Sequence, residues 1–315
     1  MADVYTATGS VSTDLAAYDK MSYWALRPEL KFDQFAEVQP TTLTNPGATV
    51  TFQKWTEMAA ATTPLSETVD VDAVAIADSQ VTVTLQEYGN AVVTTRKLHG
   101  TTHIPVNPVI ANLLGYNAGL SIDTIARNAV QAGTNVRYGG AATTRATVAA
   151  AHTLTAANVR RARAELVAAN VQTFDGQYYA AVIHPDVALD LRTETGAASW
   201  RDPHVYSQPE QIWTGEIGAF EGFRFIESSR APVFVDAGVT STVDVYRTIF
   251  MGRQAIAKAF STAAEFGPNP RIRPGPVVDK LQRFQPLGWY HFVGYGIFRQ
   301  EAIRAVESSS SIATN

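Results

Sequence analysis

Cysteine is absent from all 315 residues. This excludes disulfide staples, zinc–thiolate sites, iron–sulfur clusters and thiol nucleophiles together, and leaves the redox compartment undecided. No window approaches the run of about 18 apolar residues that a membrane-spanning helix needs. The N-terminus lacks a basic stretch followed by an apolar one, so no secretory signal is read there, and a soluble cytoplasmic origin is expected. No G-x-x-x-x-G-K occurs. Gly294-Tyr295-Gly296 lacks the third glycine of a dinucleotide loop and sits in a strand-like run. Charged residues make up 17% and hydrophobic ones 46%, a balance that fits a globular chain and excludes wholesale disorder.

What is present is uneven along the chain. Residues 1–38 carry scattered aromatics (Tyr5, Tyr18, Tyr23, Trp24, Phe32, Phe35) without a helical period. Thr49–Gln53 and Val81–Leu85 alternate apolar with hydroxyl or amide residues, the period of two that marks strands. Between them lie about 25 residues of Ala, Thr, Asp and Glu with Pro64 and no periodicity, and a loop this long is functional or disordered. An isolated two-stranded ribbon is marginal in water. The first hundred residues are therefore expected to draw their stabilising surface from other copies of the chain.

The net charge of −4 hides an asymmetry. Residues 1–90 hold 4 basic and 12 acidic groups, a net of −8, whereas residues 224–304 hold 11 basic and 6 acidic, a net of +5. Solubility explains this; so does docking of acidic segments on basic flanks of neighbours, where complementary charge sets register and association rate.

Further on, Ala91–Arg96 reads as extended, and a helix is expected over residues 108–132. Its apolar residues, Ile110, Leu114, Ile122, Ala126 and Val130 among them, recur every three or four positions. About 25 residues give a rod of roughly 37 Å. Thr155 can cap a short helix that buries Val159, Ala162 and Leu166 and leaves Arg160, Arg161 and Arg163 solvated. Tyr178–Ile183 reads as a buried strand, with His184-Pro185-Asp186 opening another helix. Residues 196–221, with Trp200 and Trp213, read as loop, followed by strands at Phe223–Glu227, Val243–Phe250 and Gly288–Phe298. The expectation is an α+β body starting near residue 100, an N-terminal arm, and a flexible tail from Ser308.

The search for chemistry is short. His99 and His103 stand four apart, but Gly100 and Pro105 disfavour the helix that would align them on a metal. His184 and Asp186 resemble part of a triad with no G-x-S-x-G serine to complete it, and a helix start explains them better. Tyr246-Arg247 and Phe284 fit a half-buried sheet better than a base-stacking surface. No catalytic residue, cofactor or metal ligand is expected.

Several blocks in order carry a resemblance. They are Pro64-Leu65-Ser66-Glu67, Glu87-Tyr88-Gly89, Leu113-Leu114-Gly115 through Asp123 to Arg127, His184-Pro185, the run from Gly215 to Ser228 (GEIGAFEGFRFIES), Phe250-Met251-Gly252-Arg253-Gln254-Ala255, and Gly288-Trp289. Together the chain resembles the major capsid proteins of tailed bacteriophages, the N-four-like family, over residues 15–305. The resemblance implies the phage capsid fold of the Hong Kong ninety-seven type. It implies an N-terminal arm (1–45), an extended hairpin loop (46–98) and a peripheral domain with a long spine helix (99–175). An axial domain (176–265), returning peripheral strands (266–307) and a tail (308–315) follow. It further implies self-assembly as pentamers and hexamers into an icosahedral shell around a double-stranded DNA genome. Partners would be other copies, a portal, a scaffolding or decoration protein, and packaged DNA contacted non-specifically; no membrane partner is implied. The protein would reside in the virion after assembly in the host cytoplasm. By position, Trp55, Glu67, Glu87 and Arg96 become candidates for inter-subunit contact. The alternatives are an encapsulin-like compartment and a hydrolase using His184 and Asp186.

Overall fold

The computed structural model describes residues 31–38, 49–56, 58–65, 67–68, 70, 73–102, 106–174, 176–194, 216–261, 269–276 and 279–312. The expected arm over residues 1–30, together with His103, Trp200 and Trp213, lies outside the described residues. Along the chain the first half supplies β1 (Ala36–Val38), β2 (Thr49–Trp55), β3 (Asp78–Thr84), β4 (Gln86–Thr95), α1 (Arg96–Thr101), α2 (Val106–Gln131), β5 (Val136–Tyr138) and α3 (Ala156–Ala168). The second half supplies β6 (Tyr179–Ile183), α4 (Pro185–Thr193), β7 (Glu216–Phe220), β8 (Phe223–Glu227), β9 (Val233–Phe234) and β10 (Val245–Met251). It ends with β11 (Ile256–Phe260), β12 (Arg271–Pro274), β13 (Phe284–Ile297) and β14 (Ile303–Ser308).

Two sheets share the core. The larger runs β5-β14-β10-β6-β8-β7, with β9 beside β10. Its centre, β6 and β10, is buried at every residue, which is why Tyr178–Ile183 reads as an unbroken apolar run. The second sheet runs β1-β11-β13-β12, with β4 also on β13. β13 organises it: β4 pairs with Phe284–Val293 and β11 with Val293–Ile297. The 26-residue α2, about 39 Å long, lays Ile110, Leu114 and Ala118 on Trp289 of β13 and sends Ala126 and Val130 into the main core.

The two faces of β13 do different work because successive side chains point opposite ways. Trp289, Tyr295 and Ile297 face α2 or the main core, and Trp289 Nε1 donates to Asn117 Oδ1 at 2.9 Å. On the other face, Gly294 and Gly296 lie beside Ala259 and Ala257 of β11. These small residues make a seat for the β2–β3 ribbon, where Phe52, Val83 and Leu85 are buried. A Cβ on Gly294 would overlap the Thr84 carbonyl oxygen, and one on Gly296 would sit 2.9 Å from Val83. The ribbon root is thus not short of a core, as its sequence implies. Its cover comes from strands some 200 residues later, beyond the reach of local pattern, and each buried side chain contributes about 1.5–3 kcal/mol.

Two other expectations change. Part of the stretch read as loop is strand: β7 and β8 form a hairpin across Glu221 and Gly222, both at positive φ (49° and 78°), the two-residue turn that suits strand twist. The tail does not begin at Ser308. Ser308, Ser309 and Ser310 are buried, Ser309 N–H donates to the His152 carbonyl at 3.0 Å, and Ser311 N–H donates to Asp190 Oδ2 at 2.9 Å. The serines look like linker in sequence, but here the Ser309 and Ser311 hydroxyls donate to the Ala150 carbonyl and to Asp190. Just before them, the fully buried Glu307 takes Arg145 at 2.8 Å and Arg247 at 2.7 Å. Residues 313–315 lie outside the described residues.

Replacing Gly294 by Ala should cost about 1–3 kcal/mol through overpacking and loosen the ribbon root. Limited proteolysis should then cut near residues 49–55 faster than in the wild type, with the spectroscopic signature of the body retained.

Candidate assembly surface

The four predicted contact residues fall into two places. Trp55 closes β2 opposite Asp78, and Glu67 lies beyond it in the connection to β3. Every described residue from 55 to 80 is exposed. Within that run Trp55, Met58, Leu65, Val74 and Ile76 are 59–77% exposed. Apolar side chains so concentrated on one projecting segment mark an interaction surface. Glu87 and Arg96 belong elsewhere. Glu87 is exposed on β4 opposite Phe292, and Arg96 is the exposed first residue of α1, its N–H donating to the Arg283 carbonyl at 2.8 Å. The nine-residue step from one to the other spans about 30 Å of strand, so the structure does not gather the four into one site.

A second exposed surface was not read from sequence. β12 is exposed at all four residues, Arg271-Ile272-Arg273-Pro274, and Leu281 beyond it is 70% exposed. Proline is tolerated at such edge strands, and alternation of Arg with an apolar residue between prolines was the available signal.

The root of the arm is held by carboxylates. Asp123, buried in α2, accepts three backbone N–H groups at Oδ1, from Lys31 (3.0 Å), Phe32 (2.6 Å) and Asp33 (3.2 Å). Burial pushes the Asp123 pKa up; the three N–H groups and Arg230, 3.5 Å from Oδ2, oppose that rise. Phe32 is fully buried beside it. Asp33 in turn takes Lys258 Nζ at 2.8 Å and the Tyr295 hydroxyl, and burial beside Asp33 drives the tyrosine pKa up. β1 then runs parallel to β11. Asp123 carries no sequence signal of this role beyond its place in the resemblance.

The histidine pairs do local work. His184 caps α4, its Nδ1 accepting the Asp186 N–H at 3.3 Å, while Asp186 Oδ2 accepts the Tyr246 hydroxyl at 3.0 Å. Burial lowers the His184 pKa. His99 Nε2 lies 3.1 Å from Thr94 Oγ1.

The sequence signature described as phage capsid protein matches residues 7–308. The chain belongs to that family. Comparison with curated proteins gives no match. Among solved structures the fold is similar to the capsid of Ralstonia phage GP4, at 15% identity and a TM-score of 0.78, covering 98% of each chain. It is also similar to the cyanophage Pam1 capsid, at 16% identity and a TM-score of 0.67, covering 99% of this chain and all of that one. The capsid of cyanophage P-SCSP1u follows at 15% identity and a TM-score of 0.70, over 97% and 96% of the two chains. The mixed helix-and-sheet fold is thus the Hong Kong ninety-seven type, as the resemblance implies. The protein is a tailed-phage major capsid protein, a structural component of the virion that associates with its own copies to form the shell.

One buried base ties this capsid fold to pH. His291 on β13 is 2% exposed, and burial, with Lys258 adding to it, lowers its pKa to about 4. A base with a depressed folded pKa keeps its full stability above the unfolded value, about 6.5, and loses it as pH falls toward 4. Unfolding free energy should therefore drop by up to about 3 kcal/mol across that window, and His291→Gln should flatten that slope in denaturant titrations at several pH values.

Proposed function

We propose that the exposed stretch from Trp55 to Gln80 and the arm ahead of Lys31 are the elements by which one copy clasps the next. Subunits arranged as pentamers and hexamers would thereby close an icosahedral shell around double-stranded DNA. The observation that carries this reading is the contrast within one ribbon: its root is buried on β11 and β13, while every described residue from 55 to 80 is exposed. Glu67, Asp70 and Asp78 add negative charge to the exposed part. The surface that complements it is β12 with its surroundings, where Arg271, Arg273 and Lys280 stand beside exposed Ile272 and Leu281. Acidic-and-apolar against basic-and-apolar gives both burial and register. Glu87 and Arg96 are secondary contacts in this reading.

In this reading residues 1–45 are an arm, 46–98 an overlapping loop, 99–175 and 266–307 a peripheral domain built on α2 with returning strands, and 176–265 an axial domain that holds β6, β8 and β10. Assembly takes place in the host cytoplasm, with a portal at one vertex and a scaffolding or decoration protein as further partners. An encapsulin-like compartment would share the fold, and the long acidic N-terminal segment favours the phage shell.

Deleting residues 58–76 should leave a folded subunit that forms no regular particles in electron micrographs; uniform shells from the deleted chain would refute the clasp. Charge reversal by Arg271→Glu and Arg273→Glu together should slow assembly several-fold in low salt. The difference should shrink as salt rises, because exposed charges are screened beyond about 8 Å at physiological ionic strength. Light scattering during assembly gives the rates, and equal rates at low salt would remove β12 from the contact.

A further inference from the structure

The two faces of the β2–β3 ribbon are unlike. Val50, Phe52 and Lys54 alternate onto the face that meets the body, where Phe52 packs on Phe298 at 6.0 Å between ring centres and Lys54 reaches Glu301 at 3.6 Å. The other face carries Thr51, Gln53 and Trp55, opposite Thr82, Gln80 and Asp78, and all six are exposed. Directly opposed residues of an antiparallel pair share a face. Trp55 and Asp78 therefore stand side by side, an indole beside a carboxylate, turned away from the seat that β11 and β13 provide. Trp55, at 62%, is the one exposed aromatic residue among the described residues.

A hollow of matching chemistry lies elsewhere on the body. Phe35 at the arm root, Phe174, Tyr178 and Tyr179 line a cavity of about 320 Å³, and Arg224 of β8 lines it with them. The Phe35 and Phe174 rings lie 5.7 Å apart, tilted by 57°, and the Arg224 guanidinium sits over the Tyr178 ring at 5.3 Å. Aromatic walls take a further ring edge-to-face or offset, and a guanidinium stacks on indole. A carboxylate carried beside that indole meets the same guanidinium. β12 offers arginine with aliphatic Ile272 instead, which suits the aliphatic residues farther along the ribbon.

We propose that the aromatic cavity beside the arm root receives Trp55 of a second copy, with Asp78 of the same ribbon meeting Arg224. This rests on the clasp reading and names where the base of the clasp is held. A tryptophan seated in a desolvated pocket is the common form of an interface hot spot, and the charge pair at its edge sets register. Phe35 follows Phe32 and Asp33, whose N–H groups Asp123 holds. One copy's arm root, once pinned, thus forms part of the seat for the next copy's ribbon.

The absence of cysteine makes the test direct. Gln53→Cys lies on the outward face two residues before Trp55, and Gln34→Cys lines the cavity. Both positions are exposed, and neither change removes an aromatic or charged partner. Full-length subunits carrying one or the other change, told apart by a size tag, are mixed, assembled and treated with a short bis-maleimide. A mixed dimer on a denaturing gel is expected. Trp55→Ala should raise the protein concentration at which shells appear in electron micrographs by at least about tenfold, with the subunit's melting curve unchanged. Trp55→Phe should restore most of the loss. Wild-type shells without that mixed dimer overturn the cavity as the seat, as do mixed dimers formed only when Lys280→Cys beside β12 replaces Gln34→Cys. Trp55→Ala assembling like wild type also overturns it, and leaves the cavity to residues of its own chain. If wild type forms no shells, the shell reading fails instead.

Discussion

Ala257, Ala259, Gly294 and Gly296 have almost no side chain between them, and the β2–β3 ribbon lies on the flat patch they leave. A side chain at Gly294 would meet the ribbon's backbone at Thr84. On the opposite face of the same strand Tyr295 reaches Asp33 at the root of the arm. One Gly-Tyr-Gly triplet therefore seats the ribbon root on one face and holds Asp33 on the other. Pleating makes this possible, since alternate residues of a strand serve opposite faces.

From that anchor the division of labour follows. The body is closed by its own contacts: a fully buried sheet centre, α2 across Trp289, and Glu307 between two arginines near the C-terminus. A buried carboxylate is costly to strand without partners, so the Glu307 cluster fixes the register of β14 against β10 as well as adding stability. Beyond Trp55, every described residue of the ribbon up to Gln80 is exposed. Its apolar side chains face water in the isolated chain, a liability in a monomer and a requirement in a protein whose copies must cover one another.

The composition of β12 bears on its partner. β12 mixes arginine with exposed Ile272 and Leu281, which suits burial against another protein surface.

Much of the element plan was legible in the sequence, because it rests on local periodicity. The alternation at Thr49–Gln53 and Val81–Leu85, the three-and-four spacing from Ile110 to Val130, and the apolar run at Tyr178–Ile183 each named their element. Trp55 and Glu67, candidates by their place in the resemblance, are both exposed. Other features depended on distant partners and were not legible. Nothing near Ser308 announces that Ala150, His152 and Asp190 will take up the serines after it. Nothing near Val83 announces a seat of glycines more than 200 residues away, or near Phe32 that Asp123 will collect the backbone there. The sequence by itself determined the strands and helices that carry a clear local period, and the stretch between β2 and β3 that carries none. Tertiary structure alone decided where that projection begins, because burial depends on what a long-range fold brings alongside, and pairing across the fold leaves no local period to read.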